Sequence, residues 1–356
     1  MTAAKGTLKR LNAAQIAGTY IGTVVGAGFA SGQETLRFFT LYGVQGTWGV
    51  FIATLLFVYF GLTVMQLGYS LHAQSHRDVI AAITGPYLYR FIDVMITGAL
   101  AAGLTVMIAG AGAALQEQLG WPGWAGGALM AAGSVLTVLL GITGVISAIS
   151  MVAPFLVGGT VAISLLLLRF YVPNASWSAP GLAASGSWLP AAFLYVSYNM
   201  ILTLGILAPM GGMSDPATIR KGAWLGGLGL GISAMAVHLA MLTQVPEIIG
   251  VEVPMLHIAA KVLRCAPAAY AWLLLAEIYT TAVANLYGFV ARMTKSHPGL
   301  SAWMTVSTGL FAYLGSQIGF VALVQTLYPA LGVVGGLLLF ALVKWRFLRR
   351  MKEWKA

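Results

Sequence analysis

The stretch that decides the fold runs Tyr20-Ile-Gly22-Thr-Val-Val25-Gly26-Ala-Gly28-Phe29-Ala-Ser31-Gly32-Gln33-Glu34, close to the start of a 356-residue chain. Four glycines fall within eleven residues, beside β-branched Thr23, Val24 and Val25. Each glycine costs about 1 kcal/mol relative to alanine inside a helix. The stretch then meets polar Gln33, Glu34 and Arg37. It reads as a membrane helix that comes apart halfway. Unwound backbone survives at membrane depth only where it is buried in protein or lines a wet cavity. A plainer alternative is close helix packing, since Gly22-Thr-Val-Val-Gly26 is also a GxxxG pattern. Gly26-Ala-Gly28 is not a dinucleotide fingerprint, because no βαβ unit surrounds it.

Composition places this helix in a membrane protein. Hydrophobic residues make up 59% of the chain and charged residues only 8%, with a mean hydropathy of +0.87. A soluble domain carries about a quarter charged residues, so a soluble enzyme, a disordered chain and a disulfide scaffold are excluded. A membrane β-barrel would show short alternating segments rather than continuous apolar runs. The single cysteine, Cys265, leaves no internal disulfide and argues against a metal cluster. The net charge of +10 gathers at the chain ends instead of on a solvated domain, which argues against nucleic acid as a partner. The basic start followed by an apolar run has the outline of a signal peptide, but no soluble mature domain follows, which argues against cleavage.

A helix crossing a ~30 Å hydrocarbon core needs about 20 residues. That ruler gives ten spans, at 13–42, 46–71, 87–118, 124–142, 145–170, 188–212, 221–245, 266–293, 299–318 and 320–346. Turn chemistry separates them at Trp121-Pro122-Gly123, Pro173–Gly186, Ser214-Asp215-Pro216 and His297-Pro298-Gly299. Gly141-Ile142-Thr143-Gly144 is the weakest junction, between spans four and five. With the N-terminus inside, the inner face receives Lys5, Lys9, Arg10, Arg77, Arg90, Arg220, Lys221, Arg292, Lys295 and the tail residues Lys344, Arg346, Arg349, Arg350, Lys352 and Lys355. Only Arg37, Arg169, Lys261 and Arg264 fall toward the other side. The positive-inside rule then puts both termini in the cytoplasm of a multi-pass cell-membrane protein.

The sixth span offers a second interruption at Phe193-Leu-Tyr195-Val-Ser197-Tyr198-Asn199-Met-Ile-Leu-Thr203-Leu-Gly205, because Ser197 and Asn199 are expensive in lipid. The two candidate breaks lie about half a chain apart, and each opens a set of five spans. Interrupted helices at matching positions of two halves point to an inverted-repeat transporter and to its binding site. The chain is accordingly expected to be one transmembrane domain, with repeats over roughly 13–170 and 188–346. Gly22, Tyr198 and Glu277 each lie ten to twelve residues from the nearest span end, about 15–18 Å deep at the helical rise. Three independently anchored features therefore reach one midplane.

The eighth span carries Glu277, Thr280, Thr281 and Asn285 on one face, by i, i+3, i+4 and i+8 spacing. A polar stripe at that depth faces protein or a cavity. The two hydroxyls, with unwound carbonyls nearby, suit a hard monovalent cation, although threonines also back-bond to their own helix. Glu277 is either functional or half of a structural pair. Glu34 and Arg37, one turn apart, read as an ion pair beside an outer vestibule. Asp93, three residues after Arg90, reads equally as an inner gate or a plain ion pair. Glu247 and Glu252 sit with the short helix Pro254–Lys261 where they can cap the outer mouth. His238 reads as a hydrogen-bonded packing residue.

On these residues a resemblance can be stated. Gly22-Thr-Val-Val25-Gly26-Ala-Gly28 resembles the unwound first helix of LeuT-fold transporters, the amino acid–polyamine–organocation superfamily. The longer run Tyr20 to Glu34 is similar to the start of the YkvI-type bacterial membrane proteins. The resemblance implies an all-α fold with a 5+5 inverted repeat and helices 1 and 6 interrupted. In sodium-coupled members two first-helix carbonyls and eighth-helix hydroxyls hold the ion, which maps it to Gly22, Val25, Thr280 and Thr281. The remaining eighth-helix carbonyl falls at Glu277, an acid where a small residue is expected, so coupling to sodium or to protons stays open. An amino-acid carboxylate would meet the amides of Gly26, Ala27, Gly28 and Phe29, with Tyr195, Ser197, Tyr198 and Asn199 completing the pocket.

The sequence thus leads to a secondary transporter of a small solute, best an amino acid or related zwitterion, with Na+ or H+ as coupling ion and no other cofactor. Spans one and six would rock against spans three, four, eight and nine. The alternative is a transporter-like receptor that binds a small ligand without moving it. An intramembrane enzyme finds no support, since neither HExxH nor GxSxG occurs.

Overall fold

The computed structural model describes residues 11–84, 86–171, 187–245, 247–251, 253–262, 266–295, 297–318 and 335–347. Lys5, Lys9, Arg10, the Pro173–Gly186 connection, Pro246, Glu252, Arg264, Cys265 and the basic tail past residue 347 lie outside them. All regular structure among the described residues is helical. The first crossing is assembled from α1 (Ala13–Val24), α2 (Ala27–Ser31) and α3 (Gln33–Phe38), followed by a single 3₁₀ turn at Thr40–Tyr42. Asn12 starts it with a reciprocal capping box, its side chain accepting from the Gln15 amide at 2.8 Å.

The chain continues through α4 (Val44–Leu71), the short α5 (His76–Ile83), α6 (Pro86–Leu119), α7 (Gly123–Leu139), α8 (Gly141–Tyr171), α9 (Trp188–Gly212) and α10 (Pro216–Leu242). Then follow α11 (Pro254–Val262), α12 (Ala266–Met293), α13 (Ser301–Ser316) and α14 (335–347). The weakest sequence junction is a real turn. Gly141 takes φ +74°, a left-handed conformation open to glycine without strain, and divides α7 from α8.

Among the described residues, six helices are long and apolar enough to cross a membrane unaided: α4, α6, α8, α9, α10 and α12. The other expected crossings are shorter or interrupted. The first is in pieces, α7 has 17 residues and α13 has 16, and most of the tenth span lies outside the described residues.

Among the described residues the interior divides into two large hydrophobic clusters and a smaller one of α3, α8, α10, α11 and α12 around Met241, Ile258 and Tyr270. One is built mainly on α1, α4, α9 and α10, around Tyr20, Phe57, Tyr195 and Leu230. The second joins α6, α7, α12 and α13, around Leu104, Met130, Ile278 and Ala312. The helix pairings repeat in kind. α4 packs on α9 as α10 packs on α1, and α6 meets α7 as α12 meets α13. α4 also packs on α10, α6 on α12 and α7 on α13.

At the end of the bundle where α1 begins, buried charges lock α5, α6 and α12 together. Asp93 takes both Nε (2.7 Å) and Nη2 of Arg292. His76 Nε2 lies 3.5 Å from the same carboxylate, and Lys295 pairs with Asp78. Asp93 therefore pairs with Arg292 across the bundle, not with the neighbouring Arg90. A bidentate guanidinium satisfies a buried carboxylate better than a residue beside it on the same helix surface. Burial pushes the His76 imidazole below its ordinary pKa, partly offset by Asp93. The folded state thus keeps His76 neutral, and the stability this contributes is lost as pH falls below about 6.5, where an unfolded histidine takes up its proton. The expected outcome is that Asp93→Asn lowers the apparent unfolding temperature by several degrees, equivalent to about 3 kcal/mol. Adding Arg292→Gln should restore part of that loss in a thermal melt, and additive losses would contradict the pairing.

Candidate functional site

The site starts at the gap between α1 and α2. Val25 (φ −75°, ψ 110°) and Gly26 (φ −131°, ψ −168°) are extended, and both are buried. Helix geometry at this point would have consumed the Val25 carbonyl internally. Instead it accepts the Thr281 hydroxyl of α12 at 2.8 Å. Thr280 bonds back to the Glu277 carbonyl at 2.9 Å. A Cβ placed on Gly26 would sit 3.0 Å from Thr281 Oγ1, and one on Gly22 would sit 3.5 Å from Thr280 Cβ. The five residues assigned to a cation, Gly22, Val25, Glu277, Thr280 and Thr281, therefore converge where α1 opens onto α12. Among the described residues no group of three or more His, Cys, Asp or Glu forms a transition-metal site, and the oxygen-only donor set suits a hard cation.

Two acids flank the outer half of this broken helix. Glu34 turns inward and lies against Gly28, where a Cβ would overlap Glu34 Oε1. Only glycine admits that carboxylate so close to the backbone. The Tyr198 phenol of α9 is its hydrogen-bonding neighbour. Glu277 is fully buried and meets the Thr160 hydroxyl of α8 at a long 3.5 Å. One oxygen of each acid, Glu34 Oε2 and Glu277 Oε2, has no hydrogen-bond partner among the described residues. Neither enters an ion pair there. Tyr270 of α12 clamps the end of α2, donating to the Ala30 carbonyl at 2.6 Å. Gln33 donates to Val251 at 2.6 Å and ties α3 to the loop before α11.

An aromatic cluster stands over Glu34. Phe38 of α3 stacks on Tyr198 at 5.8 Å between centroids and leans on Tyr195 at 5.5 Å. Tyr195 is edge-on to Phe39 at 5.0 Å and to Phe57 at 5.7 Å.

Two expectations need correction. The sixth span is not interrupted, because α9 runs unbroken from Trp188 to Gly212. Its polar residues are satisfied by their own helix: Ser197 donates to Phe193 O at 2.7 Å, Asn199 to Tyr195 O at 2.9 Å and Thr203 to Asn199 O at 3.1 Å. Tyr195 and Tyr198 reach the first crossing, whereas Ser197 packs against Gly335 of α14. The second correction concerns Glu34 and Arg37, which form no ion pair: Arg37 is exposed and Glu34 is buried. On their short helix, Gln33–Phe38, the two residues end in different surroundings, Glu34 against Gly28 and Arg37 exposed. His238 is held through both ring nitrogens by Thr40 and Thr47, each at 3.1 Å, as expected of a packing residue. Lys261 pairs with Glu247 at the far end of the bundle, which holds the Glu247 carboxyl below its ordinary pKa. Thr160, Tyr270 and Phe38 escaped sequence reasoning, since nothing local marks them as neighbours of the break.

No family model matches the chain. The uncharacterized membrane protein YkvI of Bacillus subtilis strain 168 is 30% identical over 326 residues, covering 91% of this chain and 93% of that protein. The chain belongs to the YkvI family of membrane proteins. This family shares its fold with LeuT-fold transporters. A Na+-coupled sialic acid symporter, in a substrate-bound outward-open state, matches with TM-score 0.69 at 12% identity, over 92% of this chain and 77% of that one. MhsT in complex with L-phenylalanine matches with TM-score 0.64 at 16% identity, over 91% and 88%. At such identities the likeness is one of fold alone.

The Gly28–Glu34 contact can be tested without any substrate. Gly28→Ala should destabilise the protein, because a methyl group cannot share space with the carboxylate. In Gly28→Ala/Glu34→Ala most of that loss should return. A double variant as unstable as the single one would place the clash elsewhere.

Proposed function

We propose that this protein is a secondary transporter of a small solute, an amino acid or related zwitterion, coupled to Na+ or H+. The observation that carries the reading is the unwound Val25-Gly26 backbone, buried and facing the α12 hydroxyls. Opening a helix within a bilayer forfeits backbone hydrogen bonds, and transporters use such breaks to handle ions and substrates at the midplane. The exchangeable helix pairings support a 5+5 inverted repeat, in which α1, α4, α6 and α7 correspond to α9, α10, α12 and α13. Only the first of the two corresponding crossings is broken. The two larger hydrophobic clusters support a division into a unit of α1, α4, α9 and α10 and a scaffold of α6, α7, α12 and α13. The charge distribution supports both termini in the cytoplasm of a bacterial cell membrane.

In this reading the Thr281 hydroxyl, now spent on the Val25 carbonyl, turns with it toward the coupling cation. The carbonyls of Gly22, Val25 and Glu277 and the Thr280 hydroxyl complete the oxygen shell. Glu277, beside this shell, is the proton carrier if the coupling ion is H+. The substrate carboxylate approaches the amides of Gly26, Ala27, Gly28 and Phe29, and the rings of Tyr195 and Tyr198 close the pocket. Buried Glu34 and exposed Arg37 belong to the outer gate, and Asp93, paired with Arg292, to the inner one.

The test begins with a panel of metabolites screened for thermal stabilisation with and without sodium, and the hits then go to uptake assays in proteoliposomes. Thr281→Val should remove sodium-dependent uptake while the protein remains folded, and Thr281→Ser should retain it. Sodium dependence that survives Thr281→Val overturns the cation assignment. If the ion is a proton, Glu277→Gln should abolish proton-driven counterflow, and full activity across pH would exclude that role. Binding by the screened compounds without accumulation would replace the transporter with a receptor.

A further inference from the structure

A zwitterion has two charged ends, and the structure speaks to the second. With α9 continuous, the sixth crossing offers no unwound carbonyls to an ammonium group: the Phe193, Tyr195 and Asn199 carbonyls each accept a side chain of their own helix. The Val25 carbonyl is taken by Thr281. An uncommitted acceptor on the first crossing itself is Glu34 Oε2, which is buried and lacks a hydrogen-bond partner among the described residues. The Tyr198 phenol is that carboxyl's hydrogen-bonding neighbour, and the rings of Phe38, Tyr195 and Tyr198 pack on one another with centroid separations of 5.5 to 5.8 Å.

A buried carboxylate without a cation is costly, and Glu277 is a second buried acid with no ion-pair partner among the described residues. A carboxylate bordered by aromatic faces is the chemistry that recognises organic ammonium ions: the carboxylate neutralises the charge and the rings attract it through their quadrupoles. The Glu34 carboxylate also borders Gly28, so a ligand reaching this side of α2 meets negative charge there.

We propose that Glu34, with Phe38, Tyr195 and Tyr198, is the ammonium-binding subsite, and that the cargo class is defined by a protonated amine instead of by its carboxylate. The inference rests on the transporter reading for the word cargo, but binding at the subsite does not require transport. Phe38 belongs to α3, joined to α2 at the left-handed Gly32 (φ +84°). It closes over the ammonium when the subsite is filled and stacks on Tyr198 when it is not.

The test uses purified full-length protein and matched probes: leucine and phenylalanine, their decarboxylated amines isoamylamine and phenethylamine, and their deaminated acids isocaproate and phenylpropionate. Thermal stabilisation is read for each probe. The amines are expected to stabilise the protein at millimolar concentration, and the acids are not. Glu34→Gln should weaken amine binding by about tenfold or more, and Phe38→Leu by several-fold. Stabilisation by the acids alone, stabilisation by none of the six, or amine binding unchanged in Glu34→Gln overturns the subsite. Should Glu34→Gln fail to fold, the wild-type contrast between amines and acids and the Phe38→Leu affinity still decide it. Amine binding without proteoliposome uptake would keep the subsite and refute transport, whereas uptake indifferent to the amine would do the reverse.

Discussion

Everything at the centre of this protein depends on a hydrogen bond between residues 256 positions apart, from the Thr281 hydroxyl to the Val25 carbonyl at 2.8 Å. A peptide group exposed to hydrocarbon costs several kcal/mol, so a helix cannot open in a membrane unless another element meets the groups it frees. Here α12 does so at two points: Thr281 takes Val25, and Tyr270 takes the Ala30 carbonyl at 2.6 Å. Between those two points α2 is held as a free-standing turn. Glu34 gains its inward position from the same arrangement, because the glycine at 28 leaves room for a carboxyl against the backbone.

The charges follow a sharp division. At the end where α1 begins, Asp93, Asp78, Arg292 and Lys295 are matched acid to base. In the middle, Glu34 and Glu277 have no basic partner among the described residues. The matched set binds α5, α6 and α12 to one another. The unmatched set leaves two buried carboxyl groups that no base among the described residues meets. The two sets are built from the same residue types and differ in whether a base among the described residues meets them.

The broken first crossing was legible because its cause is local: glycines and β-branched residues weaken one stretch of helix regardless of what surrounds it. The convergence of Gly22, Val25, Thr280 and Thr281 was legible through depth and family resemblance together. Glu34 was misread because Arg37 stands one turn away and a local partner is the simplest guess, whereas the observed neighbours, Gly28 and Tyr198, come from the chain's fold. Thr160, Tyr270 and Phe38 are ordinary membrane-helix residues until the tertiary structure sets them beside the break. Spacing along a helix can show which residues share a face. It cannot show what that face meets.

The intact sixth crossing follows from the same constraint that broke the first. Ser197, Asn199 and Thr203 looked like signs of interruption, yet each hydroxyl or amide fits the groove of its own helix and donates to a carbonyl three or four residues back. For α9 to open, a hydroxyl on the helix corresponding to α12 would have to receive the freed carbonyl. In the proposed repeat that helix is α6, and its Thr105 bonds to its own Ala101 carbonyl at 3.0 Å while its methyl faces Gly315 of α13. Near α9 it presents Gly103 and Leu100, against Leu202 and Gly205. With no cross-helix partner to receive it, an opened α9 would leave bare peptide groups in an apolar interior. The two halves can share an architecture while only one contains an unwound helix, because the break requires its partner as much as its glycines.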